Sequence, residues 1–156
     1  MLVWRMEFED QNIPKYVYAN DLYGEVLGLD FVKKNIILYS DLLNTAYPDD
    51  EGKNSMGALL QNFGKATTDL SFNFFNQLVK HQNLKTKESV YLDHFTSIEK
   101  RYPDGSLKVV GGYIINITDS YKMSKHNIEL QLENIKLARA ERLAIKSGKV
   151  MVWFLD

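Results

Sequence analysis

Apolar and polar positions alternate at the start of the chain. In Leu2–Glu9 (LVWRMEFE), Leu2, Trp4, Met6 and Phe8 interleave with Val3, Arg5, Glu7 and Glu9. A period of two marks a half-buried strand, with Trp4, Met6 and Phe8 turned to the core. Asp10–Pro14 is turn chemistry, and Tyr16-Val17-Tyr18 predicts a second strand that closes a hairpin. The period then breaks. Gly24 and Gly28 interrupt any long helix, and Phe31, Val32 and Ile36-Ile37-Leu38 predict short helical or irregular pieces. Ser40-Asp41 is placed to cap a turn carrying Leu42 and Leu43.

A helix is expected from Tyr47-Pro48-Asp49-Asp50, with carboxylates at its positive end. Met56, Leu59, Leu60 and Phe63 give it one apolar face, and Gly64 is placed to end it. Strands are predicted over 70–79, 89–101 and 107–118. In the second, Val90, Leu92, His94, Thr96 and Ile98 share one face. Pro103-Asp104-Gly105 is a hairpin signal between the last two. Asp119–Ser147 is one long amphipathic helix, capped by Thr118 or Asp119. Met123, Leu130, Leu137 and Ala144 recur every seventh residue, but Asn127, Asn134, Glu141 and Arg142 make it a weak coiled coil. Met151-Val152-Trp153 repeats the character of Leu2-Val3-Trp4. The expected organisation is therefore a domain over 1–119, a linker helix over 120–149, and over 150–156 the first strand of a following, similar domain.

The 156 residues suit one domain. Nineteen basic and twenty acidic side chains leave a net charge of -1, which gives no electrostatic reason to expect nucleic acid or an anionic membrane surface. No cysteine is present, so disulfides, thiolate nucleophiles and cysteine metal sites are excluded. That absence fits a cytoplasmic protein. No apolar run approaches the about 18 residues that span a bilayer.

The order of elements, together with four local matches, resembles the PAS family. Val3-Trp4 resembles its tryptophan-bearing first strand. Tyr16-Val17-Tyr18-Ala19-Asn20, followed by Leu27-Gly28-Leu29, resembles its second strand and the glycine segment after it. Tyr47-Pro48-Asp49-Asp50 resembles its His-Pro-Asp-Asp helix start, with Tyr47 in place of His. Gly111 or Gly112 through Asn116-Ile117-Thr118-Asp119 resembles the Gly-x-x-x-Asp-Ile-Thr-Glu signature, with Asn116 in place of the Asp. The resemblance covers about residues 2–125. It implies an α+β fold: a five-stranded antiparallel sheet, helices on one face, and a long C-terminal exit helix. It also implies a regulatory sensor domain of a multidomain signalling protein, a two-component histidine kinase being the leading setting. Such a chain would be non-catalytic, with a kinase or a further PAS domain downstream and a membrane anchor, if any, elsewhere in the parent.

Candidate residues follow from strand parity. Tyr39, Phe63, Phe74, Leu92 and Ile114 are expected to line a ligand pocket, although aromatic clusters more often fill a core. Asn116, Thr118 and Asp119 form the expected relay joint. Trp4, Tyr113 and Ile115 are the expected homodimer surface. His81, His94 and His126 are spaced as ordinary histidines, with no shared metal or haem site, and His126 is a poor phosphoacceptor because the chain returns to a strand one helix later. Lacking cysteine, the chain cannot form a covalent flavin adduct; the leading expectation is no cofactor, with a noncovalent flavin or haem left open. Asp93 and Glu99 stand roughly 20 Å apart along one strand, too far to cooperate in acid–base chemistry. Gly24-x-x-x-Gly28 and Gly111-Gly112 lack the context of a phosphate loop. Two alternatives stand beside the sensor: a purely structural dimerisation module, and an unrelated α+β enzyme or ligand-binding protein.

Overall fold

The computed structural model describes residues 1–9, 13–47 and 52–146, with side chains to 143. Met1–Thr118 is one compact unit, and the chain from Asp119 is a second. The first unit is a six-stranded antiparallel sheet in the order β3-β2-β1-β6-β5-β4. Its strands are β1 (Leu2–Glu7), β2 (Tyr16–Ala19), β3 (Ile36–Leu38), β4 (Phe74–Gln82), β5 (Ser89–Arg101) and β6 (Leu107–Asn116). Helices α1 (Asp21–Leu27), α2 (Tyr39–Leu43) and α3 (Met56–Thr68) lie between β2 and β4 in the chain, and α4 (Thr118–Lys146) follows β6. The sixth strand corrects the expected count of five. Ile36-Ile37-Leu38 is too short and too uniformly apolar to show a period, yet it pairs with Tyr16-Val17-Tyr18.

Parity sets the core. Leu2, Trp4 and Met6 are buried and oppose Ile114, Gly112 and Val110 of β6. On β5, Leu92, His94, Thr96 and Ile98 continue the same buried face. Thr96 and Trp4 both oppose Gly112, so the three form one row across three strands. A methyl group on Gly112 would lie 2.0 Å from the Phe95 carbonyl oxygen. Only glycine lets the backbones approach this closely.

The helices end where local chemistry directs, with one exception. Gly28 closes α1 in the left-handed conformation at φ 68°. Ser55 caps α3, its hydroxyl accepting from Ala58 N–H at 3.2 Å. The helix therefore begins at Met56 rather than at Tyr47, and Pro48–Glu51 lie outside the described residues. It also runs past Gly64 to Thr68, because a lone glycine costs a helix only about 1 kcal/mol. The expected strand over 70–79 is displaced to 74–82: Asp69 accepts from Ser71 N–H and holds a turn before it. Residues 150–156, expected to start a following domain, also lie outside the described set.

Candidate functional site

A small cavity sits between the inner face of the sheet and the helices. Its volume is about 30 Å³. From the sheet come Trp4, Met6 and His94; from the helices come Tyr23 of α1, Tyr39, Leu42 and Leu43 of α2, and Met56, Leu59, Leu60 and Phe63 of α3. No described lining side chain carries a fixed charge. Burial holds the Tyr23 and Tyr39 hydroxyls protonated by raising their pKa, and for Tyr23 the neighbouring Tyr39 adds to the effect.

Two polar atoms of the inner face are buried without a hydrogen-bond partner among the described residues: Trp4 Nε1 and Thr96 Oγ1. Buried polar groups are nearly always paired, so each is an exception to account for.

Behind the cavity runs a chain of hydrogen bonds whose direction can be deduced. The Thr45 hydroxyl donates its single proton to the Leu42 carbonyl at 2.7 Å. Its contact with His81 Nδ1 at 2.8 Å must then be one in which Nδ1–H donates. Neutral His81 is left with a bare Nε2, which accepts from His94 Nε2–H at 2.8 Å. Neutral His94 is left with a bare Nδ1. Burial keeps both rings uncharged: it holds His81 well below the usual histidine range, with His94 beside it as a second cause, and pushes His94 down to about 3.

The start of α4 is tied to β5. Tyr91 N–H donates to Thr118 Oγ1 at 3.0 Å, and Ile117 N–H donates to the Tyr91 carbonyl at 3.0 Å. Asn116 Oδ1 accepts from both Thr118 N–H, at 3.1 Å, and the Thr118 hydroxyl, at 2.5 Å. Thr118 and Asp119, expected to cap the helix, lie inside α4, and Asn116 Oδ1 accepts from the N–H of its first residue.

The outer face of the sheet is partly apolar. Val3, Tyr113 and Ile115 are 49%, 36% and 43% exposed, and the Phe95 ring stacks on Tyr113 with centroids 4.7 Å apart.

The sequence matches no protein-family model and no curated relative. Solved structures resemble the fold. A sensory box histidine kinase/response regulator from Burkholderia thailandensis E264 superposes at a TM-score of 0.61 with 12% identity, over 88% of this chain and 90% of that one. The N-terminal domain of a diguanylate cyclase with PAS/PAC sensor from Marinobacter aquaeolei gives 0.55 at 10% identity, over 77% and 97%. This chain has the PAS fold. A light-oxygen-voltage domain studied with a flavin analogue gives 0.56 at 11% identity, over 83% and 87%.

Within this PAS fold the predicted pocket residues divide. Tyr39 and Phe63 line the cavity. Leu92 and Ile114 are fully buried on the same inner face but form core rather than lining. Phe74 is corrected: it lies 63% exposed on the outer face, and its neighbour Phe75 takes the inward position. Two adjacent phenylalanines hide strand parity. Trp4 is corrected in the opposite sense, since it lines the cavity and belongs to no outer surface, while Tyr113 and Ile115 do face outward. Asn116 and Thr118 meet at the joint, and Asp119 stands in the first turn of α4. His81 and His94 are buried core residues, and the register of β4 on β5 brings them into a contact that their spacing in the sequence does not reveal. Among the described residues, no group of three or more His, Asp or Glu could hold a metal, and no helix is long and apolar enough to cross a membrane.

Proposed function

We propose that this PAS domain is a non-catalytic sensor module of a multidomain signalling protein, a two-component histidine kinase in the leading reading. It passes the state of its cavity through β5 to α4. The observation that carries the reading is the joint: Thr118 accepts from Tyr91 of β5 and is itself held by Asn116 at the end of β6. Any ligand or partner that favours one arrangement of β5 therefore biases the first residues of the exit helix. The resemblance to a sensory box histidine kinase and to a diguanylate cyclase sensor domain supports the setting.

The size of the cavity favours a small ligand over a large cofactor. The cavity of about 30 Å³ is an order of magnitude below the several hundred Å³ of a site for a drug-sized ligand. Both ring nitrogens of His81 are engaged, Nδ1 by Thr45 and Nε2 by His94, and His94 keeps only Nδ1 open. No cysteine is available for a flavin adduct.

A second reading, a dimerisation module with no small ligand, is favoured by the outer face of Val3, Tyr113 and Ile115, which a second copy of the chain would cover. In the protein that carries this domain, Thr118→Val should change signalling output while the fold is retained. Unchanged output in a folded variant would contradict the relay.

A further inference from the structure

Trp4 and His94 both line the cavity, and each carries a ring nitrogen with no hydrogen-bond partner among the described residues. The Trp4 indole N–H is buried and unpaired, in a residue only 6% exposed that lines the cavity. His94 also lines it, and the proton order from Leu42 through Thr45 and His81 leaves its Nδ1 as a lone-pair acceptor. Nδ1 has no hydrogen-bond partner among the described residues. A molecule that satisfies both needs an acceptor for Trp4 and a proton to donate to His94. A hydroxyl group supplies both from one oxygen.

The remaining lining selects for charge and size. Tyr39, Leu59 and Phe63 bring apolar surface, and no described lining side chain is ionised. A carboxylate or an ammonium would lose its hydration with no opposite charge in return, a large penalty. A single water needs about 10–15 Å³ of such volume, so the cavity of about 30 Å³ holds roughly two water-sized groups.

We propose that the cavity is a binding site for a small neutral alcohol, with Trp4 Nε1–H donating to its oxygen and its hydroxyl donating to His94 Nδ1. The proposal rests on the sensor reading for its biological sense, but the binding stands or falls independently.

The test is a titration of the whole chain with methanol, whose two heavy atoms match the cavity, followed by the indole N–H resonance of Trp4. The chain has two tryptophans, Trp4 and Trp153, so Trp153→Phe assigns the signal. A saturable shift with methanol is expected, with weaker binding by acetonitrile, which accepts but does not donate, and none by formate or methylammonium. Trp4→Phe should weaken binding about tenfold, the effect of one lost hydrogen bond. The comparison of the four compounds on unaltered protein decides the matter even if that variant fails to fold. No saturable shift with methanol, or equal binding by formate, overturns the proposal. Binding that leaves the amide resonance of Thr118 unmoved keeps the alcohol site and overturns the sensor reading instead.

Discussion

The main-chain N–H of Tyr91 donates to the Thr118 hydroxyl oxygen at 3.0 Å, so the contact of β5 with β6 continues past Asn116 onto the first residue of α4. Thr118→Val keeps the shape of the side chain and removes the oxygen. Tyr91 N–H loses its acceptor, and Asn116 loses one of its two donors. The expected cost is about 1 kcal/mol, the net value of a hydrogen bond of this kind. Hydrogen exchange at Tyr91 and Ile117 should speed up, with core amides of β5 such as Leu92 little affected. Urea unfolding with amide exchange checks both.

Acid should weaken the fold through His81 and His94. Both rings are held neutral by burial, below their ordinary value of 6.5. As pH falls past 6.5 the unfolded chain takes up protons while the folded chain does not. Stability is therefore fully present above that value and declines below it, by up to about 1.4 kcal/mol per pH unit for each histidine. Urea midpoints between about pH 7 and 5, a range chosen to precede most carboxylate titration, should fall for the natural chain. They should fall less steeply for His94→Gln. A flat profile in the natural chain would contradict the buried neutral pair.

Gly112→Ala should destabilise the domain by roughly 1–3 kcal/mol, as overpacking does. The added methyl would meet a carbonyl oxygen of the neighbouring strand at 2.0 Å, and that atom belongs to backbone rather than to a flexible side chain. Denaturant unfolding measures it.

Much of this architecture is legible in the sequence, and the losses have physical causes. The alternation from Ser89 to Arg101 is long, and β5 spans those residues as predicted. Leu2–Glu7 is equally clear, because one face meets the core and the other does not. Ile36-Ile37-Leu38 carries no period, so β3 emerges only from its pairing with β2. Gly64 signals a helix end, but the chain there has open space around it and α3 continues. The site was harder to read than the fold. Tyr39 and Phe63 follow from apolar patterning, whereas His81 and His94 lie 13 residues apart on two strands. Their contact depends on the β4–β5 register, which one sequence does not state. The Trp4 donor was also missed as a site feature: a tryptophan in a strand reads as core, and only the missing partner for its N–H distinguishes it.

Outer-face burial is a further expectation. Ile115→Glu places a charge beside Tyr113 and Val3 without touching the inner core, since Ile115 is 43% exposed. If a second copy covers this face, light scattering should show a dimer for the natural chain and a monomer for the variant, with thermal stability per chain nearly unchanged. A natural chain that is monomeric at high concentration would contradict the dimer.

Coupling between the cavity and the exit helix is tested most directly by amide chemical shifts in a pair of substitutions. His94→Gln alters the cavity at β5, three residues from Tyr91. With Thr118 intact, its effect should reach Tyr91, Ile117 and the first turn of α4. With Thr118→Val also present, the shifts in the first turn of α4 should shrink, while Ile117, whose N–H still donates to the Tyr91 carbonyl, stays affected. Equal shifts in α4 with and without the Thr118 oxygen, or none in either, would contradict a relay through this joint.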